Sequence, residues 1–221
     1  MSDITSDDVS TPAVVDLLGM LAYAELLAFD RMAYDATLAP DLNRRAMLSE
    51  MAAVEIANHR RVLDRLVKLG ADPERAMAPF RAALDAYHSQ TQPSDWMEAL
   101  TKAYVGDSIA NDFAREVARG LSPADRDLVL EVLRESRYAD FAAAEIRQAL
   151  VGDESQTNRL SMWARRLVGE ALSQAQRVAA ERPAFTDLLA NAPDDGSDVA
   201  AMLKRLTTAH TERMTAIGLN N

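Results

Sequence analysis

The sequence predicts an all-α protein: an up-down bundle of four long helices with additional helices toward the C-terminus. Three observations predict it. Ala, Leu, Arg and Glu dominate a 221-residue chain with only eight Gly, eight Pro and 5% aromatics, a usage that favours helix. Apolar residues recur at helical spacing in one run after another, and no run alternates as a half-buried strand would. Capping residues, Pro and Gly punctuate the chain where those runs begin and end.

Thr11-Pro12 reads as an N-cap with Pro at the first helical position. The first helix then runs to about Leu38, with Leu18, Leu21, Phe29 and Met32 on one stripe. Pro40-Asp41 starts a second helix that Gly70 closes in the C′ role, and Leu48, Met51, Val62 and Leu66 make its stripe. Asp72-Pro73 caps a short connecting helix ending near Gln90. Ser94 precedes a third long helix with Trp96, Leu100 and Tyr104, which stops at Gly120. Ser122-Pro123 with Asp125 opens a fourth, predicted as one helix to Val151. Gly152-Asp153 breaks the chain before a fifth, from about Ser155 to Arg182, ended by Pro183, with a further turn over Phe185–Leu189. The domain organisation follows: residues 1–10 as a polar, disordered N-terminus, 11–190 as the bundle, 191–197 (NAPDDGS) as a linker, and 198–221 as an amphipathic C-terminal helix. That last helix either packs back on its own bundle or docks on a second subunit in a homodimer.

Acidic residues sit in the middle of the apolar stripes. Glu25 lies on the first, Glu55 on the second (flanked by Asn58 and His59), Asp107 on the third and Glu135 on the fourth. A carboxylate on a helix seam is costly to bury unless something pairs with it. Each helical hairpin contributes one to each of its helices at nearly matching spacing, 55 − 25 = 30 and 135 − 107 = 28. That regularity reads as a weak internal duplication. Four carboxylates converging inside a four-helix bundle suit a pair of irons, since hard cations take oxygen ligands and facing helices hold them around an open position. The usual pattern adds a His three residues after two of the acids. Here Asn58 and Tyr138 occupy those places, and His59 follows Glu55 by four residues. The competing account pairs each acid with an arginine such as Arg115, Arg134, Arg137 or Arg166. Glu131 shares part of the fourth stripe but fits the hairpin spacing less well than Glu135.

Composition narrows the chemistry. With no Cys there are neither disulfides nor thiolate ligands, so a metal must use carboxylates, water, or His59, His88 and His210. His88 ends a short helix, where a cation is favourable, and His210 reads as a packing residue. The acidic start lacks the charge and apolar pattern of a signal peptide, and no unbroken run of 18 apolar residues offers a membrane span, so the cytoplasm is the expected location. A net charge of −10 weighs against generic binding to a phosphate backbone. Arg60-Arg61 and Arg165-Arg166 read as solvated faces, and as the first places for a tRNA contact.

Four stretches carry a resemblance: AYAELLAFDRMAYDA, MAAVEIANH, KAYVGDSIANDFAREVA and WARRLVGEALSQAQRVAAER. Over roughly Pro12 to Leu189 the chain resembles the bacterial ferritin-like family related to tRNA 2-methylthio-isopentenyladenosine hydroxylases. The resemblance implies a ferritin-like bundle with a non-haem di-iron centre that uses dioxygen and an external reductant to hydroxylate the isopentenyl group of a modified adenosine in tRNA. It places Glu25, Glu55, Asp107 and Glu135 at the carboxylate ligand positions, with His59 as a possible helper, and Asn58 and Tyr138 where the family pattern has His. The alternative is a non-catalytic bundle whose remnant, metal-free site is closed by hydrogen bonds and which acts through association.

Overall fold

A computed structural model describes residues 12–133, 137–184 and 199–220, with the backbone alone for Asp107, Arg137, Tyr138 and residues 199–200. Those residues are helical wherever they are regular. The elements are α1 (Pro12–Asp35), α2 (Leu42–Lys68), α3 (Pro73–Met77), α4 (Arg81–Gln90), α5 (Trp96–Lys102), a π-helical segment (Ala103–Asp107), α6 (Ser108–Ala118), α7 (Pro123–Val132), α8 (Arg137–Leu150), α9 (Glu154–Glu181) and α10 (Val199–Ala216). The N-terminal ten residues, the linker at 191–197 and the turn at Phe185–Leu189 lie outside the described residues.

Local chemistry sets the starts. Asp41, Asp72, Asp95, Ser122 and Asp153 each accept a hydrogen bond from the backbone N–H three residues on, giving the first turn an acceptor it would otherwise lack. The third long helix begins one residue later than its sequence suggests, with Asp95 as the cap while Ser94 bonds Glu98. Gly70 and Gly152 close α2 and α8 with φ of 75° and 74°, a backbone region that side chains with a Cβ disfavour.

The four bundle helices are α1, α2, α5 continuing through the π segment into α6, and α7 followed by α8. α1 lies along α2, α6 packs on α1, α5 on α8, and α6 on α7. α9 crosses α4, α5 and the π segment, and α10 lies on α6. Gly19 lets α1 approach α3: a Cβ there would stand 2.2 Å from the Ala76 carbonyl oxygen. The fourth helix departs from expectation. α7 ends at Val132 and Leu133 takes a non-helical cap conformation, so the single helix predicted to Val151 is divided there into α7 and α8. The Arg115 guanidinium donates to the Leu133 carbonyl at 2.6 Å, satisfying an acceptor that the break releases.

Of the two placements open for the C-terminal helix, the structure takes the first. Met202 and Leu206 of α10 join one apolar cluster, and Met214 and Ile217 the other. Arg205 bonds Glu116 at 2.6 Å, and Arg213 pairs with Asp112, both on α6. α1 with its following 3-10 turn, Pro12–Leu38, is the one helix among the described residues long and apolar enough by composition to cross a membrane, at mean hydropathy 1.6. Here it is a core helix that α2, α3 and α6 cover, with Leu17, Leu18 and Ala22 wholly buried.

A polar chamber as candidate functional site

Two apolar clusters occupy the two ends of the bundle, and on three of the four bundle helices the stripes change cluster near the acids, while along α5 and α6 the change falls between Ile109 and Phe113, beyond Asp107. On α1, Ala22 belongs to the first cluster and Met32 to the second, with Glu25 between them. On α2 the change falls between Ala52 and Val62, around Glu55 and Asn58. In the last bundle helix it falls between Leu133 and Ala142, around position 135. The waist of the bundle is therefore polar by sequence, and polar groups there must be satisfied by protein, water or ligand.

A chamber of about 1040 Å³ fills this waist. Glu25 lines it and is 6% exposed, while Glu55 and Asn58 face it from α2 and are half-buried. Two of the five sequence-predicted ligand residues thus meet in one space. Asp107 closes the π segment, and its side chain, like all of Glu135, lies outside the described residues. His59 takes another role. Its Nδ1–H donates to the Ala22 carbonyl at 2.7 Å, which ties α2 to α1, and the residue does not line the chamber. The Asn58 amide donates to the Val132 carbonyl at 3.4 Å, so the group at the usual His position is engaged with the end of α7. Among the described residues no group of three or more His, Asp or Glu side chains gathers as a metal would need.

Of the four arginines read as possible partners of the acids, Arg134 and the Arg137 side chain lie outside the described residues. Arg115 pairs with Asp112 at 3.1 Å, and Arg166 donates to the Gln90 carbonyl at 2.7 Å. Glu131 reaches the chamber but is half exposed and paired with Arg61 at 2.6 Å. Of the residues read as a possible tRNA surface, Arg61, Arg165 and Arg166 are engaged within the chain, Arg165 with the Asn220 carbonyl.

Sequence reasoning missed the far wall of the chamber, formed by Arg31, Asp35, His88 and Lys102. Asp35 is 4% exposed, and burial pushes its carboxyl up against the opposing pull of Arg31 and Lys102. The Lys102 ammonium is 4% exposed, donates to the Thr91 carbonyl at 2.7 Å and lies over the Tyr87 ring. His88 is not the helix-end cation its position suggests. Burial first, then the nearby Lys102 and Arg31 charges, lower its pKa to about 3, so it is neutral. Asp35 was detectable, standing three residues after Met32 at the stripe's edge. The wall from α5 was not, because Lys102 lies about 200° round the helix from Leu100, off the apolar stripe.

A family model described as the ferritin-like domain of actinomycetes matches residues 9–192. No curated protein matches the chain.

Proposed function

The chain belongs to the ferritin-like family of actinomycetes, and from that premise we propose that it is a non-haem di-iron oxygenase of the tRNA-hydroxylase-like type. One observation carries the proposal: acids of neighbouring helices, Glu25 and Glu55, open into a single chamber large enough for an organic substrate. Asp107 closes the π segment of the third bundle helix, and Glu135 follows the last residue of α7 by three positions in the sequence. Oxygen donors suit iron as a hard cation, and Glu25, Glu55, Asp107 and Glu135 would hold it. His59 would add a nitrogen only through Nε2, because Nδ1 is committed to Ala22. An iron pair, when bound, would supply dioxygen activation, with electrons from an external reductant.

The chain's own residues would do the rest. Half-exposed Val54 and the neighbouring Met47 line an apolar entrance along α2, and the buried Glu25 keeps the interior polar. An isopentenyl-type adenosine, as part of tRNA, is the substrate this reading takes, in the cytoplasm. The test is hydroxylation of isopentenyl-modified tRNA by iron-loaded protein with dioxygen and reductant. A product one oxygen heavier, lost with Glu25→Ala, supports the reading; no product from a protein that holds two irons contradicts it.

A second reading has its own observations. The Asn58 amide and the His59 ring are both engaged with backbone carbonyls. These favour a metal-free bundle that acts as an interaction module, including association as a homodimer. In that case Glu55→Gln leaves stability and association unchanged, and no iron is retained through purification.

A further inference from the structure

The far wall of the chamber contains polar groups that the iron reading does not use. Arg31 lines the chamber, and its Nε–H and Nη2–H are buried without an acceptor among the described residues. Those two N–H groups lie side by side on one edge of the guanidinium, an edge that matches the two oxygens of a carboxylate or phosphate. His88 Nδ1 is buried without a partner as well. So is Oδ1 of Asp35, a residue 4% exposed that also lines the chamber and caps no helix. Buried groups left unpaired are costly, and such a cluster beside a cavity calls for a partner from outside.

Charge selects the kind of partner. Facing this end are Arg31 and Asp35 from α1, neutral His88 from α4, and Lys102 from α5. Lys102 is held by Thr91 and by Tyr87, so its charge is fixed in place. Two cations against one carboxylate leave the described wall net positive, in a chain whose overall charge is −10. In a chamber that is also lined by Glu25, Glu50 and Glu55, this locally positive wall is where an anion meets least repulsion.

We propose that this wall is an oxyanion subsite: it takes the carboxylate or phosphate group of a small organic molecule, with Arg31 as the bidentate anchor and His88 as a neutral hydrogen-bond partner. Asp35, whose carboxylate lies close enough to feel the Arg31 charge, limits affinity by its own charge. The proposal deepens the reading of the chamber as a substrate site, but needs no iron.

The experiment is calorimetric titration of chelator-treated, full-length protein at constant ionic strength with benzoate and with phenyl phosphate, using benzyl alcohol as the uncharged control. Saturable 1:1 binding of one or both anions is expected, which also tells a carboxylate site from a phosphate site. Arg31→Gln should weaken it at least tenfold, and Arg31→Lys, which keeps the charge and loses the fork, several-fold. Asp35→Asn should tighten it, while Arg177→Gln on the exposed face of α9 should not change it. Thermal melting of each variant reports whether it is folded, and Asp35→Asn reads the site independently should Arg31→Gln unfold. No saturable anion binding, equal binding of benzyl alcohol, or an affinity indifferent to both Arg31→Lys and Asp35→Asn would overturn the proposal. Anion binding by a protein that takes up no iron would sustain this subsite and remove the di-iron reading.

Discussion

The two helical hairpins of the bundle are built on one plan and finished differently. In the first, α1 and α2 run unbroken for 24 and 27 residues and pack along their length, pinned by the His59–Ala22 hydrogen bond. In the second, both helices are interrupted: one by the π segment Ala103–Asp107, the other at the end of α7, where Leu133 takes a non-helical cap conformation. The first hairpin is a scaffold whose acids rest on regular helices. The second carries Asp107 at the end of the π segment, a departure from the α-helix that recurs at functional sites.

Breaking the scaffold should cost most. Leu18 is wholly buried in the first hairpin, and Leu18→Ala should destabilise by about 3–5 kcal/mol, read by chemical denaturation. The second hairpin should respond through its interruption. A Cβ on Gly106 would stand 2.1 Å from the Tyr87 hydroxyl, so Gly106→Ala should cost roughly 1–3 kcal/mol. Adding Tyr87→Phe should restore part of that loss, because it removes the atom in the way. A failure of this rescue would mean that the π segment resists substitution for another reason.

The pH response sharpens the comparison next. The folded-state pKa of His88 is lowered to about 3, below its unfolded value, so its neutral form favours folding fully above about pH 6.5. That contribution is lost as pH falls from there toward 3, at roughly 1 kcal/mol per pH unit. Asp35 acts oppositely, since its raised pKa lets the folded state hold a proton more readily as pH falls. The difference between wild type and His88→Gln across pH 7.5 to 5 isolates the histidine, and the variant should lose less stability. The smallest effect should come from the α10 clasp. Arg213→Gln leaves Asp112 with Arg115, and should cost about 0.5–1 kcal/mol while increasing proteolysis near the C-terminus.

What the sequence made legible follows the same division. Continuous helices with Asp or Ser caps and Gly closures were readable because their signals are local. The polar waist was readable too, because Glu25 and Glu55 interrupt strong stripes and do share a space. The break after Val132 was not, since no Pro or Gly marks it and a tertiary bond from Arg115 stabilises it. His59 kept its inward burial but took a helix-to-helix hydrogen bond instead of a chamber position, a choice of ring direction that spacing does not encode. The Arg31, His88 and Lys102 wall joins three separate helices, and only the packing of α4 against the bundle brings His88 to it.

Iron stoichiometry tests most directly whether both hairpins serve one chamber. Anaerobic titration with ferrous iron should give about two irons per chain in the wild type, and fewer than one with either Asp107→Asn or Glu135→Gln, both still folded. A wild type that binds none, or variants that keep both irons, would contradict it.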